Sequence, residues 1–338
     1  MERGAPIAGL KIFATCPPSD GVSPVDYRER VRSIARRAEQ AGCEGMRVHA
    51  DHGLLDPWLV AQVIVESTER LAPLVAVPTT SLHPYSVARM VTSFAYLHGR
   101  CVHLSIESGS RNGESALDDE SPENDFDVRL LEYVSVLRGL LSADALTFQG
   151  RCYTVRGLKL KPSLPPSLAP RLFVSADSPA CVEAASTLGM TAIEYPGMTY
   201  DCGTGPGAVT RAVSIGIIAR DSESDAWRIA RARFPVDSEA AFASPRAPEV
   251  PQSPWQRQLT EHLPANEPPP SPYWRVPFER YRTGCPYLVG SYDRVADEVA
   301  RHVEVGYRTF ILDAPASAEE LEHIGEVFER AVCAFAVG

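Results

Sequence analysis

Four times along its 338 residues this sequence repeats one phrase: a helix-like run ends just before a glycine, and an apolar, strand-like run begins within a few residues. Ala41-Gly42 precedes Met46 to Ala50, and His98-Gly99 precedes Val102 to Ile106. Leu188-Gly189 precedes Thr191 to Ile193, and Val305-Gly306 precedes Thr309 to Leu312. Glycine after the last turn of a helix adopts the left-handed conformation that turns the chain back without a Cβ penalty. Strands that alternate with amphipathic helices pair in parallel, because each return to the sheet needs a helical crossover. The pattern spans nearly the whole chain and implies one α/β fold.

The order of elements narrows the choice. Strand-like runs lie at Leu10 to Ala14, Met46 to Ala50, Leu74 to Val77, Val102 to Ile106, Leu172 to Val174, Ala192 to Tyr195, Val213 to Ala219 and Thr309 to Leu312. Helical spacing between them includes Val31, Ile34 and Ala38 on one face, and Asp56-Pro57 reads as an N-cap with proline at the first helical position. Eight strands, each with a helix after it or close by, is the count of a single (β/α)8 barrel spanning 1–338. A doubly wound open sheet is the alternative, but no G-x-G-x-x-G follows the first strand. Leu146 to Leu160 alternates around Gln149-Gly150 as a small β excursion. Pro235 to Pro277 is rich in proline, including Pro268-Pro269-Pro270-Ser271-Pro272, and reads as a long lid-like insertion.

A formal charge of −10 argues against nucleic acid, whose binding needs clustered Lys and Arg. Eight cysteines with no C-x-x-C pair give neither a zinc ribbon nor a thioredoxin-type motif, and Asp118-Asp119-Glu120 reads as solvated loop, so no metal is expected. The amino-terminal residues carry no apolar signal core and no apolar run approaches membrane-spanning length, so the expected location is cytoplasmic.

Four segments resemble the bacterial-luciferase-like flavin monooxygenases, nearest the alkanesulfonate monooxygenases and their relatives in natural-product pathways. These are Asp56-Pro57-Trp58-Leu59-Val60-Ala61, Pro84 to Arg100 with Val87-Ala88-Arg89 and His98-Gly99-Arg100, the hairpin Phe148 to Gly157, and Leu288 to Ser291 with Val305-Gly306-Tyr307. The resemblance implies a TIM-type barrel whose carboxyl mouth holds reduced FMN from a separate flavin reductase. It also implies a monooxygenase acting on a small or carrier-protein-bound metabolite, and a homo-oligomer, with a dimer the natural guess. On that basis Ser108, Gly109, Ser110, Ser175 and Ser178 are expected to hold the cofactor. Tyr195, His52 and His83 are expected to line the reaction space, with Arg280, Arg282 and Cys16 meeting substrate. The chain also departs from the alkanesulfonate pattern. Ser175-Ala176-Asp177-Ser178 replaces a Gly-Gly-Ser-Ser turn, Phe126-Asp127 an Arg-Tyr, and Ser214-Ile215-Gly216 an Arg-x-His. Two alternatives therefore stay open: a noncatalytic partner subunit with a degenerate flavin site, and a deazaflavin-dependent oxidoreductase.

Overall fold

All four punctuating glycines take positive φ: 82° at Gly42, 62° at Gly99, 56° at Gly189 and 102° at Gly306. In the computed structural model, which describes residues 9–50, 53–107, 124–142, 144–176, 179–195, 209–235, 272–281 and 283–337, a parallel strand follows each of them. The first strands are β1 (Lys11–Thr15), β2 (Gly45–Val48), β3 (Ala72–Pro78) and β4 (His103–Glu107). A separate antiparallel hairpin follows, β5 (Leu146–Gln149) with β6 (Thr154–Leu158). Then come β7 (Leu172–Ser175), β8 (Thr191–Glu194), β9 (Thr210–Arg220), β10 (Tyr273–Trp274), β11 (Tyr287–Ser291) and β12 (Thr309–Leu312).

Eight of these strands close on themselves in the order β1-β2-β3-β4-β7-β8-β9-β12, with β12 returning to β1 through Lys11↔Thr309. This is the (β/α)8 barrel read from the sequence. Between the strands lie α1 (Pro24–Gln40), α2 (Pro57–Ser67), α3 (Pro84–His98), α4 (Asn124–Leu141), α5 (Pro179–Thr187), α6 (Glu223–Arg233), α7 (Val276–Tyr281), α8 (Tyr292–Glu304) and α9 (Ala318–Val337). Local chemistry sets the starts of several. The Ser23 hydroxyl accepts from Asp26 N–H ahead of α1, and the Asp56 carboxylate accepts from Trp58 and Leu59 N–H ahead of α2, with Pro57 at the first turn.

Side chains alternate across each strand. The inward set Phe13, Leu74, Phe173, Ile193, Ala212 and Ile311 fills the middle of the barrel. Gly45 is obligatory there, since a Cβ would stand 2.3 Å from the Ala72 carbonyl oxygen and 2.6 Å from the Phe13 ring. Outward residues such as Val75, Leu104, Leu172 and Ala192 pack under α3 and α4, while Val213, Phe310 and Leu312 pack under α8 and α9.

The sequence misplaces the end of the proline-rich stretch. Residues 236–271 lie outside the described residues, but Tyr273 and Trp274 form β10, antiparallel to β11, and α7 begins at Val276. β11 itself adds in parallel to the second half of β9, from Tyr287↔Gly216 to Ser291↔Arg220. A strand of two residues beside Pro272 offers no period to detect.

Candidate active site at the carboxyl end of the barrel

Parallel barrels gather the carboxyl ends of all their strands, and the loops that follow, on one face. On β2, Met46 and Val48 pack outward against α1 and α2, so the alternation turns Arg47 and His49 inward. The same rule turns Thr15, Ser105, Ser175, Tyr195, Ser214 and Asp313 into the interior above the Phe13 layer.

One sector of this layer is charged. Arg47 is 7% exposed, and neither an ion pair nor a hydrogen bond reaches its guanidinium among the described residues; its Nε is buried and unsatisfied. Beside it, burial and then the Arg47 charge push His49 down to about 3, so its imidazole is neutral at ordinary pH. Asp313 follows β12 and accepts a 2.5 Å hydrogen bond from the Tyr287 hydroxyl. Burial raises its pKa, opposed by the Tyr287 hydrogen bond, the Ala314 backbone N–H, Arg233 and Arg47. Arg233, at the end of α6, donates to the Ala314 carbonyl at 2.8 Å and lies 5.5 Å from the Tyr287 ring centre. Cys285 is buried, and desolvation holds its thiol well above the usual range.

Gly216 explains how Tyr287 enters. A Cβ at 216 would stand 2.5 Å from the Tyr287 ring, so the glycine gives the phenol its place across β9. The departure at 214–216 is therefore matched by a compensating aromatic from β11.

Hydroxyls lie at the carboxyl ends of three other strands. Thr79, just past β3, is 3% exposed; its Oγ1 is buried without a partner among the described residues, while its N–H donates to Glu107 carbonyl at 2.9 Å. Ser175 ends β7, and Tyr195, 9% exposed, follows β8. At the rim, His83 Nδ1 accepts from Tyr85 N–H at 3.1 Å and caps α3. That bond leaves the proton of neutral His83 on Nε2. Its ring meets Tyr153 edge-on, with centroids 5.4 Å apart. Tyr153, Arg129, Arg151 and Cys152 line a cavity of about 290 Å³ between α4 and the β5–β6 hairpin. Glu132 ties this hairpin down by accepting from the N–H groups of Arg151, Cys152 and Tyr153.

Of the residues singled out from sequence, Ser175 and Tyr195 face the interior and His83 stands on the rim. Cys16 instead packs with Ala14, Val31 and Val48 in the layer between sheet and helices. Its thiol lies 3.8 Å from the Tyr27 hydroxyl, and burial pushes it up to about 12. Arg280 lies in α7. His52, Ser108, Gly109, Ser110, Ser178 and Arg282 lie outside the described residues. Sequence reasoning missed Arg47, His49, Thr79, Tyr287 and Asp313. The alternation Met46-Arg47-Val48-His49 carried the signal for two of them, since an apolar outward pair fixes a polar inward pair.

Among the described residues no group of three or more His, Cys, Asp or Glu is placed to hold a metal. No helix among them is long and apolar enough to cross a membrane. A flavin fits here: the hydroxyls of Ser175 and Tyr195, in phase with the inward Phe173 and Ile193, and the buried Thr79 Oγ1 just past β3, without a partner among the described residues, suit a ring edged with hydrogen-bonding nitrogens and oxygens.

Comparison with known proteins agrees with this geometry. The family model described as luciferase-like monooxygenase matches residues 10–197. The Niallia circulans enzyme BtrO, named as a 4-(gamma-L-glutamylamino)butanoyl-[BtrI acyl-carrier protein] monooxygenase, is 32% identical over 315 residues, covering 90% of this chain and 92% of that one. Among solved structures, the monooxygenase RslO1 from Streptomyces bottropensis superposes with a TM-score of 0.68 at 17% identity, over 97% of this chain and 100% of that chain. The oxygenating constituent of 3,6-diketocamphane monooxygenase from Pseudomonas putida, solved with FMN, gives 0.63 at 15% identity, over 95% and 96%. The chain is an oxidoreductase and belongs to the luciferase-like monooxygenase family.

Proposed function

We propose that this chain is an FMN-dependent monooxygenase that hydroxylates an acyl group held on a carrier protein, using reduced flavin delivered by a separate reductase. The observation that carries the reading is the 32% identity to BtrO along 90% of the chain, since that relative is named for a carrier-bound acyl substrate. The FMN complex of the 3,6-diketocamphane monooxygenase constituent supports the choice of flavin.

Thr79 and Tyr195 would hydrogen-bond the ring. Ser175 and the amino end of α5 would face the phosphate, where backbone N–H groups and the helix dipole favour an anion. Bound reduced flavin supplies two electrons to dioxygen, one atom of which enters the substrate while the other leaves as water. The protein's own part is to orient the acyl chain, exclude water and manage protons. His83 Nε2–H and the Tyr195 hydroxyl are the proton donors nearest this task. The cavity between α4 and the hairpin, with Arg129 and Arg151 on its walls, suits the phosphate of a carrier's phosphopantetheine arm.

Incubating the chain with reduced FMN, dioxygen and acyl-carrier thioesters tests the reading by intact mass. A thioester gaining one oxygen atom supports it. Flavin oxidation without any gain in acyl mass, across a panel of chain lengths and end groups, contradicts it.

A further inference from the structure

Arg47, His49, Arg233 and Asp313 converge at the carboxyl end of the barrel, across β1 from β2 to β12, and their charges do not balance. Arg47 and Arg233 are cationic, Asp313 is the one carboxylate among these four, and His49 is neutral. Arg233 is half-buried and already bonded to the Ala314 carbonyl. Arg47 has no such bond: the residue is 7% exposed, its Nε is buried and unsatisfied, and no hydrogen bond or ion pair reaches it among the described residues. Asp313 compensates Arg47 only in part, because the same carboxylate also faces Arg233 and is bonded to Tyr287. A buried guanidinium left short of partners is costly, and a ligand anion would complete it. Guanidinium is also the side chain whose planar fork matches a carboxylate with two parallel hydrogen bonds.

Gly284 leaves room for such a group. Its missing Cβ would have stood 3.8 Å from His49 Nε2 and 3.9 Å from Asp313 Oδ1, so no side chain from 284 enters the space between them. Tyr287 holds one Asp313 oxygen at 2.5 Å, which keeps that carboxylate from turning fully onto Arg47.

We propose that this sector is a buried anion subsite, centred on Arg47, that receives a carboxylate at the distal end of the acyl substrate. The assignment rests on the carrier-bound acyl reading above. The carrier is too large to enter the barrel, so the thioester stays at the rim and the free end of the acyl chain goes in first. Anchoring that end at Arg47 fixes the chain's depth. The carbon presented for oxygenation is then counted from the distal carboxylate rather than from the thioester. Acyl groups with apolar or amide ends lose this register.

Calorimetric titration of the full chain with three pantetheine thioesters of matched length tests the subsite without turnover. The probes are the glutaric acid monothioester, its terminal carboxamide, and the branched 5-methylhexanoyl thioester. The carboxylate probe is expected to bind about 30-fold or more tightly than the carboxamide, as a buried charge-assisted pair implies. Arg47→Gln and Arg47→Met should each reduce that preference to within about threefold, and Arg47→Lys should keep part of it. Equal affinity for carboxylate and carboxamide in the native chain overturns the proposal without recourse to any variant. So does a preference that survives Arg47→Gln, or the absence of binding by all three probes. A carboxylate preference without oxygenation would keep the subsite and remove the monooxygenase reading. Oxygenation of all three probes without discrimination would do the reverse.

Discussion

At the amino end of the barrel Arg171 pairs with Glu44, and its backbone N–H donates to His103 Nδ1 at 3.2 Å. On the outer side of the same barrel, Arg211 donates to Glu194 at 2.6 and 3.0 Å and to the Tyr307 hydroxyl at 2.7 Å, while Tyr307 also donates to Glu194. At the carboxyl end Arg47 has no such partner, and Thr79 Oγ1 is buried unsatisfied. One sheet thus carries two treatments of polar groups. Where the fold is the only customer, charges close on each other. Where a ligand is expected, they are left open. Changes in the first region should therefore cost stability, and changes in the second should cost binding while the fold survives.

Glu194→Ala should have the largest effect. Glu194 is 1% exposed, and its removal strands the Arg211 guanidinium, at a cost of about 3–5 kcal/mol. Urea denaturation would show it, and the double variant Glu194→Leu with Arg211→Met should recover much of the loss. A single variant as stable as the native chain would break the contrast.

Gly216→Ala comes next. The new methyl would press on the Tyr287 ring, an overpacking of about 1–3 kcal/mol, and would loosen the Tyr287–Asp313 hydrogen bond. Thermal melts measure the first effect. Replacing Tyr287 with Phe in the same background separates it from the second.

Acid should reveal the two buried imidazoles, one at each end. His49 is held down to about 3 and His103 to about 4, mainly by burial. Both depressed pKa values favour the neutral ring in the folded state, so their contribution is complete above the unfolded value of about 6.5 and is lost as pH falls below it. Between pH 6.5 and about 5 the two together should remove about 2 kcal/mol, discounted for partial solvent access. Stability that stays flat over this window in His49→Gln with His103→Asn, but not in the native chain, would confirm the source.

Thr79→Val should be the smallest change in stability, within about 0.5 kcal/mol, because the hydroxyl it removes has no partner among the described residues. Affinity for reduced FMN should nevertheless fall by about three- to tenfold, the worth of one hydrogen bond. Loss of stability with unchanged flavin affinity would reverse the assignment of this residue.

The fold was legible because its signals are local. Gly42, Gly99, Gly189 and Gly306 announce helix ends by backbone necessity, and the apolar runs after them allow little but buried strands. The cap at Asp56 was equally local. The site was less legible because it is assembled from residues far apart in the chain. Arg47 and Asp313 meet only through barrel closure, and Tyr287 reaches Asp313 only because Gly216, on a third strand, has no side chain. His83 shows the limit differently. Its place just past strand three was readable, but its Nδ1 is committed to the cap of α3, which sequence cannot separate from a role in proton transfer.

Anaerobic titration of the native chain and of Thr79→Val with reduced FMN, with reduced deazaflavin in parallel, followed by labelled dioxygen and a carrier-bound acyl substrate, tests the central claim most directly. Saturable binding of reduced FMN, weakened by Thr79→Val, with one labelled oxygen atom in the acyl product, is the expected result. Failure of reduced FMN to bind, with its oxidation as fast as in buffer alone, would contradict the assignment of the carboxyl mouth as a flavin monooxygenase site.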